Sequence, residues 1–215
     1  MQEWIKNLFD DENMLKKGHC QRLEDYNLGM GWLYYGLTRL IRPANVVVIG
    51  SYRGFSPLVF ARALNDNLEK GTVYFIDPSY VDDFWKDPKR VKDHFEKSGI
   101  KNIKHFLMTT QEFTNSREYS LLKDVGIVFI DGYHSEEQAT FDFEAFEDKI
   151  STGGIFLFHD SVEVKTTPIY GKDKIYRRRV KFFIDKLKKR ADLQVLDLPY
   201  AKGLSLVTPL HGGNK

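Results

Sequence analysis

The stretch from Asn45 to Ser56, NVVVIGSYRGFS, limits what this chain can fold into more than any other. Val46 to Ile49 are consecutive apolar, β-branched residues that run directly into Gly50, the pattern of a strand buried on both faces of a parallel sheet. Gly50 and Gly54 let backbone N–H groups approach a ligand with no Cβ in the way, and Ser56-Pro57 predicts an N-cap and first-turn proline for a following helix. Strand, glycine turn and helix start form the first unit of a nucleotide-type α/β fold, in which the ligand lies at the carboxyl ends of the strands.

The same alternation continues downstream. Strands are predicted at Thr72 to Ile76, Ile103 to Leu107, Val125 to Ile130 and Ile155 to Phe158, ending near Asp77, Thr109-Thr110, Asp131 and His159-Asp160 respectively. Asp87-Pro88, Thr109 with Glu112, and Ser135 with Gln138 mark helix starts between them. Upstream, Trp4, Ile5, Leu8 and Phe9 have helical spacing, and Tyr26, Met30, Leu33, Leu37 and Leu40 predict one helix from Arg22 to Ile41, stopped by Pro43. Residues 161–174 have no clear periodicity and read as a lid loop; Val180, Phe183, Ile184 and Leu187 predict a helix, and Leu193 to Leu198 with Leu204 to Val207 a terminal β-hairpin.

The expected fold is therefore α/β: a doubly wound, Rossmann-like sheet of seven strands with the last strand antiparallel, preceded by N-terminal helices. One domain is expected over residues 1–215, with a helical cap at 1–42 and the core at 43–210. A 42% hydrophobic content is ample for one core. The single Cys20 excludes an intrachain disulfide, the N-terminus lacks a signal-peptide pattern and no apolar run reaches membrane-spanning length, so a cytoplasmic protein is expected. A net charge of +2 offers no global attraction for nucleic acid. The basic run from Arg177 to Arg190 is read as the solvated face of a helix, which makes nucleic acid a disfavoured partner and a small molecule the expected one. A homodimer stands beside a monomer as an admissible assembly.

Asp77 follows Gly54 by 23 residues, close to the ~20-residue separation at which a carboxylate meets the ribose of a bound nucleotide. A nicotinamide cofactor shares that feature, but Tyr52 and Phe55 stand where its fingerprint requires the second and third glycines. A phosphate-loop NTPase is excluded because no Lys-Ser/Thr pair follows the glycines. An NAD-dependent oxidoreductase and a noncatalytic nucleotide-binding domain both stay open as readings of the glycine turn and its carboxylate.

IGSYRGFS at 49–56, Asp77, IDGYHSEEQATFDFEAF at 130–146 and GGIFLFHDS at 153–161 together resemble the class I S-adenosylmethionine-dependent methyltransferases, in particular the small-molecule O-methyltransferase branch. The resemblance implies that the turn carrying Gly50, Ser51, Tyr52, Gly54 and Ser56 holds the methionine part of S-adenosylmethionine, that Asp77 binds ribose, that Thr110 and Gln111 face adenine and that Asp131 borders the cofactor. Val48 stands where the family usually has an acid. The resemblance also implies a divalent cation at Asp131, His159 and Asp160.

Methyl transfer from a sulfonium requires alignment of the nucleophile and loss of its proton. Carboxylates such as Asp131 and Asp160 suit Mg²⁺ or Mn²⁺, which acidify a coordinated hydroxyl; the imidazole of His159 suits Mn²⁺ better than Mg²⁺. His134, three residues after Asp131, is the alternative general base. His19, His94 and His105 have no comparable context and are read as structural or surface residues.

Overall fold

Val46 and Val48 enter the hydrophobic core on one side of the central strand, and Val47 and Ile49 enter a second core on the other. This two-sided burial is what a strand of consecutive β-branched residues requires. The computed structural model describes residues 1–11, 14, 18–168 and 175–210. Its strands are β1 (Asn45–Ile49), β2 (Thr72–Ile76), β3 (Ile103–Phe106), β4 (Val125–Ile130), β5 (Ile150–His159), β6 (Lys165–Pro168), β7 (Ile175–Arg178), β8 (Leu193–Leu198) and β9 (Leu204–Pro209). Its helices are α1 (Gln2–Phe9), α2 (Gly31–Ile41), α3 (Phe55–Asn65), α4 (Pro88–Glu96), α5 (Thr110–Phe113), α6 (Arg117–Leu121), α7 (Glu136–Glu147) and α8 (Val180–Leu187).

Seven strands form one sheet in the order β3-β2-β1-β4-β5-β9-β8. The first five pair in parallel, while β9 runs antiparallel to both β5 and β8. The expected seven-stranded, Rossmann-like sheet is thus the observed one. Its strand order reverses between β1 and β4, the crevice where open α/β sheets gather ligands. Helices α1 to α4 supply residues to the core containing Val46 and Val48; α7 and α8 supply Phe143, Phe146, Phe183 and Ile184 to the other. No helix among the described residues is long and apolar enough to cross a membrane.

Three local expectations need correction. The helix predicted from Arg22 is present only from Gly31; residues 22–30 instead form turns closed by an Arg22–Asn27 bridge, with Tyr26 at φ 53 and Gly29 at φ 58. The left-handed backbone at Tyr26 and Gly29 is incompatible with a continuous helix, and the turn needs glycine, since a Cβ at position 29 would lie 2.1 Å from the His19 carbonyl oxygen. Ser56 does not cap its helix: Gly54, at φ 84, is the N-cap, and the buried Ser56 hydroxyl donates to Ser51 Oγ (3.1 Å). Finally, the segment read as a lid loop contains β6, which pairs antiparallel with β7 apart from the main sheet. Thr166, Thr167, Ile175 and Tyr176 are good strand formers, but short flanking runs of charge hide their alternation. The part of that reading at 169–174 lies outside the described residues, as do positions 12–13 and 15–17 of the N-terminal cap.

Candidate active site at the strand ends

The crevice is assembled by backbone first. The Asp131 N–H donates to the Ile49 carbonyl (2.8 Å), closing β4 against the end of β1. Gly50, at φ 75, follows so closely that a Cβ would lie 2.5 Å from the Asp131 carbonyl oxygen. The first glycine of the turn is therefore demanded by strand-end packing as well as by any ligand. Across the turn, the Ser51 N–H donates to Asp77 Oδ2 (3.1 Å) and the Ser79 N–H to Asp77 Oδ1 (2.8 Å). Burial pushes the Asp77 carboxyl up, against these two hydrogen bonds that favour its charge.

On the other side of the crevice, Thr109 and Glu112 form the expected capping box at the start of α5, which holds Thr110 and Gln111. The Gln111 amide donates to Gln138 Oε1 (2.9 Å), and the Gln138 amide donates to Asp142 Oδ1 (2.8 Å). A polar chain thus ties the segment after β3 to α7.

Asp131, His134, His159 and Asp160 converge between these two sides. His159 Nδ1 lies 3.0 Å from Asp131 Oδ1 and 3.7 Å from Asp160 Oδ2. His134 Nε2 lies 3.6 Å from Asp131 Oδ1 and 3.6 Å from Asp160 Oδ2. Donor atoms of Asp131, His134 and Asp160 all fall within 4.8 Å of one another, the span of a metal-binding set. His134 (φ 41) and Asp160 (φ 54) both occupy left-handed backbone, which ordinary side chains rarely adopt; such strain concentrates at functional sites.

Two further side chains reach this cluster from far away in the chain. His19, read from sequence as structural or surface, is buried with Nε2 3.8 Å from Asp131 Oδ2 and Nδ1 3.1 Å from the Tyr34 hydroxyl. Its ring stacks on Phe55 (5.2 Å) and lies 4.7 Å from the ring of His159. Arg178, at the end of β7, places its guanidinium directly on Asp160 Oδ2. The adjoining Arg179 N–H donates to the His134 carbonyl (2.9 Å), anchoring the small hairpin to the site. No local motif announces either contact: His19 stands in a short polar run, and Arg178 is the middle one of three consecutive arginines.

Burial pushes the imidazoles of His19 and His134 down to about 3, so both are neutral at pH 7. Burial opposes the charge of Asp131, but His159, His134 and His19 together outweigh it and hold that carboxyl below the usual range. Asp160 Oδ1 and His134 Nδ1 are buried without a hydrogen-bond partner. Two carboxylate oxygens therefore face a neutral imidazole nitrogen at 3.6 Å. This donor set, which includes the buried Asp160, is one that can hold a metal ion.

A family of proteins described as a methyltransferase domain matches residues 47–161, from β1 through the end of β5. The chain belongs to that family. As a methyltransferase it also shares its fold with solved structures of low sequence identity. A Corynebacterium glutamicum protein has a TM-score of 0.69 at 16% identity, over 100% of this chain and 93% of that one. An O-methyltransferase from Bacillus cereus, solved with S-adenosylhomocysteine, has a TM-score of 0.67 at 13% identity, over 97% and 91% of the two chains. The O-methyltransferase TomG from Streptomyces achromogenes, involved in tomaymycin synthesis and solved with S-adenosylmethionine, has a TM-score of 0.61 at 15% identity, over 84% and 79%. No curated protein matches the sequence. The methyltransferase family displaces the nicotinamide and noncatalytic readings. The basic face of α8 and its flanks is largely paired with acids: Arg179 and Lys186 with Glu136 (3.2 and 2.9 Å), Lys181 with Asp185 (2.5 Å), and Arg190 with Glu147 (2.5 Å).

Proposed function

We propose that this methyltransferase transfers the methyl group of S-adenosylmethionine to a hydroxyl oxygen of a small molecule. The observation that carries the reading is the placement of Asp131, His134 and Asp160 beside the glycine turn, at the reversal of strand order. In this reading residues 1–42 are a helical cap on a 43–210 core, and the chain forms one methyltransferase domain.

The residues fit the cofactor. Asp77 lies within hydrogen-bond distance of the turn, where a carboxylate can accept from ribose hydroxyls; Thr110 and Gln111 border the opposite end, and Asp131 offers negative charge near a sulfonium. When bound, S-adenosylmethionine supplies an electrophilic methyl carbon. The strand ends orient the acceptor hydroxyl behind that carbon, the orientation on which the rate of a direct displacement depends. Asp131, His134 and Asp160 also fit a divalent cation, because their ligand atoms lie within 4.8 Å of one another and His134 and Asp160 each carry a buried atom without a hydrogen-bond partner. When bound there, Mg²⁺ or Mn²⁺ acidifies a hydroxyl. His159, 3.0 Å from Asp131, orients that carboxylate and remains a further ligand candidate. In the second version of the mechanism His134 takes the proton through Nε2, and the carboxylates 3.6 Å away work against the burial that disfavours the resulting imidazolium.

The two O-methyltransferases of the same fold support the cofactor class, since they were solved with S-adenosylmethionine or S-adenosylhomocysteine. Calorimetric titration with S-adenosylhomocysteine tests the assignment. The wild-type protein should bind it, and Asp77→Ala should bind about tenfold or more weakly, from loss of a charge-assisted hydrogen bond worth roughly 1.5–3 kcal/mol. An unchanged dissociation constant in the variant rejects Asp77 as the ribose ligand. Once an acceptor is identified, a cost of about 10²–10⁴ for His134→Ala with little effect of chelators would favour the histidine version, and loss of turnover on chelation the metal version.

A further inference from the structure

The acceptor-rich cluster already contains a positive charge supplied by the chain itself. Arg178 sits on Asp160 Oδ2, the same oxygen that lies 3.6 Å from His134 Nε2 and 3.7 Å from His159 Nδ1. Its side chain is 8% exposed and that of Asp160 4%, so the pair is shielded from solvent. A guanidinium donates hydrogen bonds, holds its charge at all physiological pH values and cannot ligate a metal. A divalent ion bound through Asp160 Oδ2, the oxygen that faces His134, would lie against this buried guanidinium and be repelled by it.

We infer that Arg178 is a tethered substitute for the divalent cation: it occupies the carboxylate end of the metal set, and metal enters only when the β6–β7 hairpin withdraws it. The inference rests on the reading of Asp131, His134 and Asp160 as a cation-binding set. The arrangement suits such a displacement, since the two strands form a sheet of their own and, among the described residues, Arg178 bonds to Asp160 and the adjoining Arg179 to the His134 carbonyl. Arg178 also limits the cost of burying Asp160 when no metal is present; an unpaired buried carboxylate would be strongly destabilising. Occupancy of the site is thereby coupled to the position of the hairpin. Because two positive charges at one buried carboxylate repel each other, the coupling is competitive and reciprocal.

The test uses Mn²⁺ alone, titrated into the full-length protein without cofactor and followed by calorimetry and by the electron paramagnetic resonance of free Mn²⁺. Arg178→Gln should bind Mn²⁺ about tenfold or more tightly than the wild type, because the competing charge is gone. Equal or weaker binding by the variant, or no binding by either protein, overturns the inference. Should the variant fail to fold, the wild type still decides the matter: saturating Mn²⁺ should speed amide hydrogen exchange at Ile175–Arg178, and unchanged exchange there overturns it. S-adenosylhomocysteine titration of the same wild-type sample keeps the two proposals separate. Failure of that titration counts against the cofactor assignment and leaves the Mn²⁺ comparison standing.

Discussion

Asp142 shows at the scale of one residue how burial turns a side chain into a pH-dependent element. It lies on the inner face of α7, 1% exposed, with Oδ1 accepting from Gln138 and Oδ2 lacking a hydrogen bond of normal geometry, although Thr110 is close enough to favour the ionised form. Burial pushes its carboxyl from 3.8 up to about 6. Between those values the folded state binds more protons than the unfolded chain, so stability from this group falls as pH rises through the window. Above it the buried charge costs the fold on the order of 3 kcal/mol. Asp142→Asn keeps an acceptor for Gln138 and removes the charge, so it should raise Tm at pH 7.5 by several degrees and flatten the difference between pH 4 and pH 7. Thermal melts of both proteins across that range check this; parallel pH profiles would show that Asp142 does not titrate there. The same polar chain reaches Gln111, which makes Asp142 a support for the adenine side of the proposed cofactor site.

Short elements position the site, and their stability rests on caps more than on length. Helix α5 has four residues, too few to persist by propensity. Thr109 Oγ1 accepts from the Glu112 N–H (3.2 Å) and Glu112 Oε2 accepts from the Thr109 N–H (2.7 Å), which holds Thr110 and Gln111 in place. Thr109→Ala should cost about 1 kcal/mol, lowering Tm by about 2–4 °C, and should weaken S-adenosylhomocysteine binding alongside. A calorimetric scan and a ligand titration measure the two effects; a stability loss with unchanged affinity would uncouple α5 from the cofactor. This capping box was legible from spacing alone. The β6–β7 hairpin was not, because its strands are four residues each, and Pro168 at the end of β6 and Gly171 after it break any periodicity and read as loop signals. The break before α2 was also concealed, since the apolar spacing continues through Tyr26 and Met30 while the backbone at Gly29 has room for no side chain.

Over the whole molecule, the sheet collects one residue from each of several distant segments. The N-terminal segment is held by Trp4, Ile5, Leu8 and Phe9, all in the core that includes Leu28, Met30 and Val48, and by the Trp4 indole donating to the Ser98 carbonyl (2.9 Å). That packing delivers Gly18 and His19 to the strand ends, where the Gly18 carbonyl lies 3.3 Å from His159 Nε2. Leu8→Ala should therefore cost about 2–5 kcal/mol, lower Tm by ~5–15 °C and increase hydrogen exchange around His19. A loss below about 1 kcal/mol would mean that α1 is a dispensable ornament. The sequence by itself determined the sheet's parallel centre, the antiparallel finish, and the polar residues Asp77, Asp131, His134, His159 and Asp160 after their strands, because runs of buried β-branched residues, glycine turns and caps are local in the chain. Tertiary structure alone decided that His19 and Arg178 join them and that Asp142 is buried beside Thr110. Those arrangements arise from packing between segments far apart in sequence, where the energy of a contact depends on neighbours that no local pattern records.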